Sequence, residues 1–164
     1  MSEQVSTLLR PIMTCSFHKE ARCFNRAENH AKGLLGTILI KEFVLKSHPE
    51  YFGIVDPNRV EVDESGGNYG NCWFDMLERD WSANEVFFFA EAKFVSLGEE
   101  GSLTSKLNDA RDSLVKRMES REVQSAISEN WKLPENGYGF VTLITPDGVE
   151  VVWGIWKTNE LLKR

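Results

Sequence analysis

The chain has 164 residues, 41% apolar and 27% charged, with no low-complexity tract, enough to bury a sheet against helices and inconsistent with a disordered or fibrous protein. A net charge of −6 argues against a protein that coats nucleic acid nonspecifically, because such binding draws on Lys and Arg to release counterions. The longest apolar runs, Gly33 to Ile40 and Val86 to Ala90, fall far short of the roughly 20 residues a membrane span needs, so no membrane partner is expected.

Met1 to Thr14 show no basic segment followed by an apolar stretch and a small-residue cleavage site, which leads to an expected cytoplasmic location. Residues 1–16 read as an N-terminal tail and residues 17–164 as a single α/β domain. Cys15, Cys23 and Cys72 form an odd set without a CxxC pair, as free thiols would. From Phe17 to Leu45, apolar residues recur at Phe17, Ala21, Phe24, Ala31, Leu35, Ile38 and Leu45, the spacing of one helical face. Glu28 and Glu42 interrupt that stripe, Gly33 and Gly36 mark a break or a close approach, and Pro49 ends the segment. His18, His30 and His48 share no ligand spacing.

Strands are expected over Tyr51 to Val55 and Arg59 to Val62, then a Gly/Asn-rich loop over Ser65 to Asn71. A further strand spans about Cys72 to Leu77, the run Trp81 to Asn84 is a connection, and Glu85 to Val95 is a central strand, apolar on both sides in its first half. Ser102 to about Ile127 reads as an amphipathic helix with Leu103, Leu107, Ala110, Leu114 and Met118 on one side. Gly139 to Ile144 and Val149 to Trp156 form a hairpin about Thr145-Pro146-Asp147-Gly148, and Thr158 to Arg164 close with a short helical turn. Trp153 and Trp156 on the last strand suit core packing or a dimer surface better than base stacking.

Strict alternation along the central strand puts Phe87, Phe89, Glu91 and Lys93 on one face and Phe88, Ala90, Ala92 and Phe94 on the other. An unpaired charge within a core costs several kcal/mol, so Glu91 and Lys93 call for each other, for solvent in a cleft, or for a metal. Asp75, on the preceding strand, would return beside Glu91, setting two acids against one ammonium. Hard oxygen ligands of this kind suit Mg²⁺ or Mn²⁺, with the Ala92 carbonyl as a backbone ligand. Lys93 would then orient or deprotonate a water, or stabilise charge on a phosphoryl oxygen.

The text Phe74-Asp75-Met76-Leu77 followed by Phe89-Ala90-Glu91-Ala92-Lys93, after a helix with an acid and before a helix and a strand, resembles the PD-(D/E)XK nuclease core across roughly residues 17 to 156. That resemblance implies a restriction endonuclease-like fold in α-β-β-β-α-β-β order, a mixed central β-sheet flanked by helices. It also implies Mg²⁺- or Mn²⁺-dependent hydrolysis of phosphodiester bonds in DNA. Asp75 and Glu91 would be metal ligands, Lys93 the catalytic lysine and Glu28 the helical acid, with Glu42 as its substitute and Glu78 or Asp80 as substitutes for Asp75 in another register. The helix after the Glu-x-Lys strand would lend Lys106, Asp112, Lys116 or Arg117. So small a domain is expected to act as a dimer or within a larger assembly, and a version without catalysis would engage a protein partner.

Overall fold

The structure is a computed structural model that describes residues 5–9, 29–52, 55–63, 73–95, 103–145 and 148–162. Its centre is strand β4 (Glu85–Val95), with the bounds expected from sequence. The apolar run Val86 to Ala90 needs cover on both faces, and a central position supplies it. Strand β3 (Met76–Asp80) pairs antiparallel with β4 across Trp81 to Asn84. That turn is set locally: the Asp80 carboxylate accepts from the Ser82 backbone N–H at 2.9 Å and its hydroxyl at 2.7 Å, and Asn84 takes the left-handed conformation at φ 50°.

Strand β5 (Asn136–Thr145) runs parallel to β4, and β6 (Gly148–Lys157) returns antiparallel on β5. Strand β2 (Glu61–Val62) extends the sheet beyond β3, and β1 (Val5–Leu9) pairs with β6. The spatial order is β1-β6-β5-β4-β3-β2, a mixed sheet flanked by helices as expected. Val5 to Leu9, read from sequence as part of a tail, thus form an edge strand.

One face of the sheet carries helix α1 (Asn29–Leu39), a π-helical continuation over Ile40–Leu45, and a single helical turn, α2 (Pro49–Phe52). Ile40, Val44, Leu45 and Phe52 pack there on Met76, Phe88, Ala90, Phe140 and Trp153. The strand expected over Tyr51 to Val55 is therefore corrected. Pro49 opens a turn, having no N–H to leave unsatisfied, and Phe52 drops its ring edge-on against Tyr138 and Trp153 at centroid distances of 5.6 and 5.3 Å. Arg59 likewise belongs to a 3₁₀ turn, Pro57–Arg59, which Asp56 caps by accepting from the Asn58 N–H.

The other face carries α3 (Leu103–Met118) and α4 (Arg121–Ser128). The single helix expected over 102–127 breaks because Ser120 turns outward, caps α4 by accepting from the Val123 N–H, and donates its hydroxyl to the Arg117 carbonyl at 2.6 Å. At the far end, Trp131 N–H bonds the Ala126 carbonyl and Asn130 N–H that of Ile127, with Asn130 at φ 66°, a left-handed stop. Leu114, Val115, Met118, Val123 and Ala126 bury Phe89, Leu77, Val86 and Trp156. Helix α5 (Thr158–Leu162) closes the chain.

Strict alternation along β4 fails at one residue. Glu78 pairs with Phe88 but Arg79 pairs with Val86, so Phe87 is a bulge and Val86, not Phe87, shares the face of Phe89 and Glu91. Trp153 and Trp156 are both core residues, on opposite faces of the sheet. No helix among the described residues is long and apolar enough to cross a membrane. Cys15, Cys23, Cys72, His18 and the loop Ser65 to Asn71 lie outside the described residues.

Candidate functional site

The sheet register brings the acids together. Val62 pairs with Met76 and Met76 with Ala90, so one step further along the strands places Asp63, Asp75 and Glu91 in a row. The Asp63 N–H bonds the Asp75 carbonyl at 3.0 Å, carrying the ladder past the end of β2. Directly opposed residues on paired strands project to one face, here the face of α3. The row continues through Gly139 on β5 and Gly154 on β6. Both glycines lie beneath the Trp156 indole, and a Cβ on Gly139 would come within 2.7 Å of that ring. The acids thus sit beside a wall that admits little water.

Asp75 and Glu91 brace each other through the backbone. The Asp75 N–H donates to Glu91 Oε2 at 2.7 Å, and the Ala92 N–H donates to Asp75 Oδ2 at 2.9 Å. Their other oxygens face Arg117 at the end of α3: Nε lies 3.7 Å from Glu91 Oε1, and Nη2 lies 3.8 Å from Asp75 Oδ1 and 3.8 Å from Asp63 Oδ2. Lys93, half-buried two residues beyond Glu91, is close enough for its charge to favour ionisation of both acids.

The electrostatics follow from burial. Glu91 is 3% exposed, and its carboxyl is pushed up to about 8, first by loss of water and then by the Asp75 charge, against the opposing pull of Arg117, the Asp75 N–H and Lys93. Asp75 is raised as well, chiefly by burial, with Asp63 adding to the rise and the Ala92 N–H, Arg117 and Lys93 opposing it. Three carboxylates meet two cations here, leaving an excess of one negative charge when all are ionised.

Asp75, Glu91, Ala92 and Lys93 are therefore neighbours, as the alternation of the two strands implies. Glu28 lies outside the described residues. Glu42 is exposed and paired with Lys46 at 2.6 Å. Glu78 is buried on the α1 face and accepts the Asp56 N–H, while Asp80 is spent on the hairpin turn, so neither substitutes for Asp75. Of the four polar candidates after β4, Arg117 reaches the acids, whereas Lys106 pairs with Asp109 and both Asp112 and Lys116 are exposed. Asp63 is an addition that sequence reasoning missed. Its signal was the alternation Val60-Glu61-Val62-Asp63, which puts Asp63 in phase with Glu61 and, by register, with Asp75.

Among the described residues no three His, Cys, Asp or Glu side chains form a ready-made metal cage. The donor chemistry nonetheless fits a hard divalent cation of the Mg²⁺ kind, which takes one or two carboxylates and keeps its waters: Asp75 Oδ1 and Glu91 Oε1 are oxygens that the Ala92 and Asp75 N–H groups do not engage.

Comparison with known proteins finds no matching family model, no matching curated protein and no matching solved structure.

Proposed function

We propose that the chain is a divalent-metal-dependent nuclease that hydrolyses phosphodiester bonds in DNA. The observation that carries this reading is the backbone-braced pair of a half-buried Asp75 and a buried Glu91, beside a wall of apolar side chains with Lys93 on the same strand face. Acids held against burial and against each other are a recurrent mark of functional sites. The mixed sheet flanked by helices is compatible with it, and the restriction endonuclease-like organisation that the PD-(D/E)XK resemblance implies is the finer reading proposed for that sheet.

Asp75 Oδ1 and Glu91 Oε1 would hold Mg²⁺ or Mn²⁺, with the Ala92 carbonyl as a backbone ligand. When bound, such an ion supplies Lewis-acid polarisation of a phosphoryl oxygen and eases deprotonation of water. The chain's own part is to orient and to handle protons. The Asp75 and Ala92 N–H groups fix the two carboxylates, so that their free oxygens need little reorganisation. Lys93 stabilises the charge that develops on the phosphoryl group, or takes the proton of the attacking water. With a net charge of −6, contact with DNA would be local to the site.

A second reading, a nuclease-derived module that engages a protein partner without cleavage, is favoured by one observation: Arg117 already lies among the acids as a counter-charge. Incubating linear, circular and branched DNA with the purified chain and Mg²⁺ or Mn²⁺, alongside Asp75→Asn, separates the two. Metal-dependent cleavage that disappears in the variant supports the nuclease. DNA left intact by wild type under every condition supports the module.

A further inference from the structure

Arg117 stands where three strands present their acids. Its contacts with Glu91, Asp75 and Asp63 span 3.7 to 3.8 Å, beyond the distance of an N–H···O hydrogen bond. An arginine matched to one carboxylate closes further, as Arg79 does on Glu61 at 3.0 and 3.2 Å. Arg117 instead divides its charge over three acids without a closed fork to any of them. The oxygens it faces on Asp75 and Glu91 are those not engaged by the Ala92 and Asp75 N–H groups, and a hard cation would use the same ones.

The setting lets the side chain move while its backbone stays. The Arg117 carbonyl accepts from both the Ser120 N–H at 3.0 Å and the Ser120 hydroxyl at 2.6 Å, which fixes the corner between α3 and α4. The side chain itself is 25% exposed, so it lies at the edge of the core with part of its surface in water. Resting on the reading of Asp75 and Glu91 as ligands of a divalent cation, we infer that Arg117 is a stand-in for that cation. It neutralises the acidic row in the cation-free protein, competes for the same oxygens, and gives way toward solvent when the ion binds.

Calorimetric titration of Mn²⁺ alone into wild type, Arg117→Met and Arg117→Lys tests this. Met removes the charge and keeps much of the length, whereas Lys keeps the charge. Because two like charges about 4 Å apart repel strongly near a protein surface, Arg117→Met should bind Mn²⁺ at least about tenfold more tightly than wild type, and Arg117→Lys should stay close to wild type. A merely structural arginine would give the opposite sign, since its loss would loosen the site and weaken binding. Equal or weaker binding by Arg117→Met overturns the inference and leaves the nuclease reading standing. Absence of Mn²⁺ binding in all three proteins overturns both. Should Arg117→Met fail to fold, Arg117→Gln gives the same comparison with the polar side chain retained.

Discussion

Glu91 and Asp75 hold each other by exchange: Glu91 takes the N–H of Asp75 itself, while Asp75 takes the N–H of the residue after Glu91. The carboxylates are thereby positioned by main chain of the opposite strand, and their geometry survives changes at the surface. The same arrangement buries charge, and its consequences can be measured.

The first is a pH dependence of stability. The Glu91 carboxyl titrates near 8 in the fold against an ordinary value of 4.5, so between these values the folded protein retains a proton that the unfolded chain has released. Stability therefore falls as pH rises from about 4.5 to about 8, by an amount bounded at several kcal/mol. Glu91→Gln imitates the protonated acid and removes the effect. Urea unfolding at pH 5 and pH 8.5 should show the variant gaining at least about 1 kcal/mol on wild type at the higher pH. Parallel pH profiles for the two proteins would contradict it.

A second consequence concerns coupling. The Asp75 charge is among the forces that raise Glu91. Asp75→Asn keeps an oxygen for the Ala92 N–H but removes that charge. Carboxyl ¹³C resonances of glutamate-labelled protein should show Glu91 titrating at lower pH in Asp75→Asn than in wild type. An unchanged or higher midpoint would mean that the acids do not share a field.

The glycines that extend the row have a packing role. A Cβ on Gly139 would meet the Trp156 ring at 2.7 Å and Ala110 Cβ at 3.0 Å, whereas one on Gly154 would meet the same ring at 3.0 Å. Gly139→Ala should destabilise by about 1–3 kcal/mol and Gly154→Ala by less, as overpacking a filled core predicts. Denaturant melts followed by tryptophan fluorescence give the ranking, and a reversed order would fault the described packing.

Arg79 offers a contrast with Arg117. Its guanidinium carbon lies over the Trp73 and Trp81 rings at 4.7 and 4.2 Å from their centroids and its nitrogens fork onto Glu61, joining the two-residue strand β2 to β3. Lysine cannot reproduce these ring contacts together with a fork. Arg79→Lys should therefore cost about 1–3 kcal/mol in thermal or chemical unfolding. A neutral substitution would show that these contacts contribute little.

Much of this was legible in the sequence where a residue's surroundings are set by its own strand. The continuous apolar run Val86 to Ala90 required a central position, and period-two alternation put Glu91 and Lys93 on one face. Relationships set by other elements were not. The bulge at Phe87 exists because β3 and β4 slip by one residue, which neither strand records alone. Arg117 stood among four equivalent candidates because helix phase against a sheet is fixed by packing, here by Leu114 and Met118 seated in the core. Asp63 becomes part of the row only through pairing beyond a two-residue strand. Tyr51 and Phe52 read as strand because aromatic residues favour it, and the burial of Phe52 against Trp153 overrode that preference.

The most direct test of the account is the rate at which the purified chain, supplied with Mn²⁺ at pH 8, cleaves circular DNA, measured beside Lys93→Ala. Lys93 is half-buried and its loss leaves the braced acids in place, so the variant should stay folded and bind Mn²⁺ while cleaving about 10²–10⁴-fold more slowly. Cleavage at the wild-type rate by Lys93→Ala, or none by either protein, would contradict it.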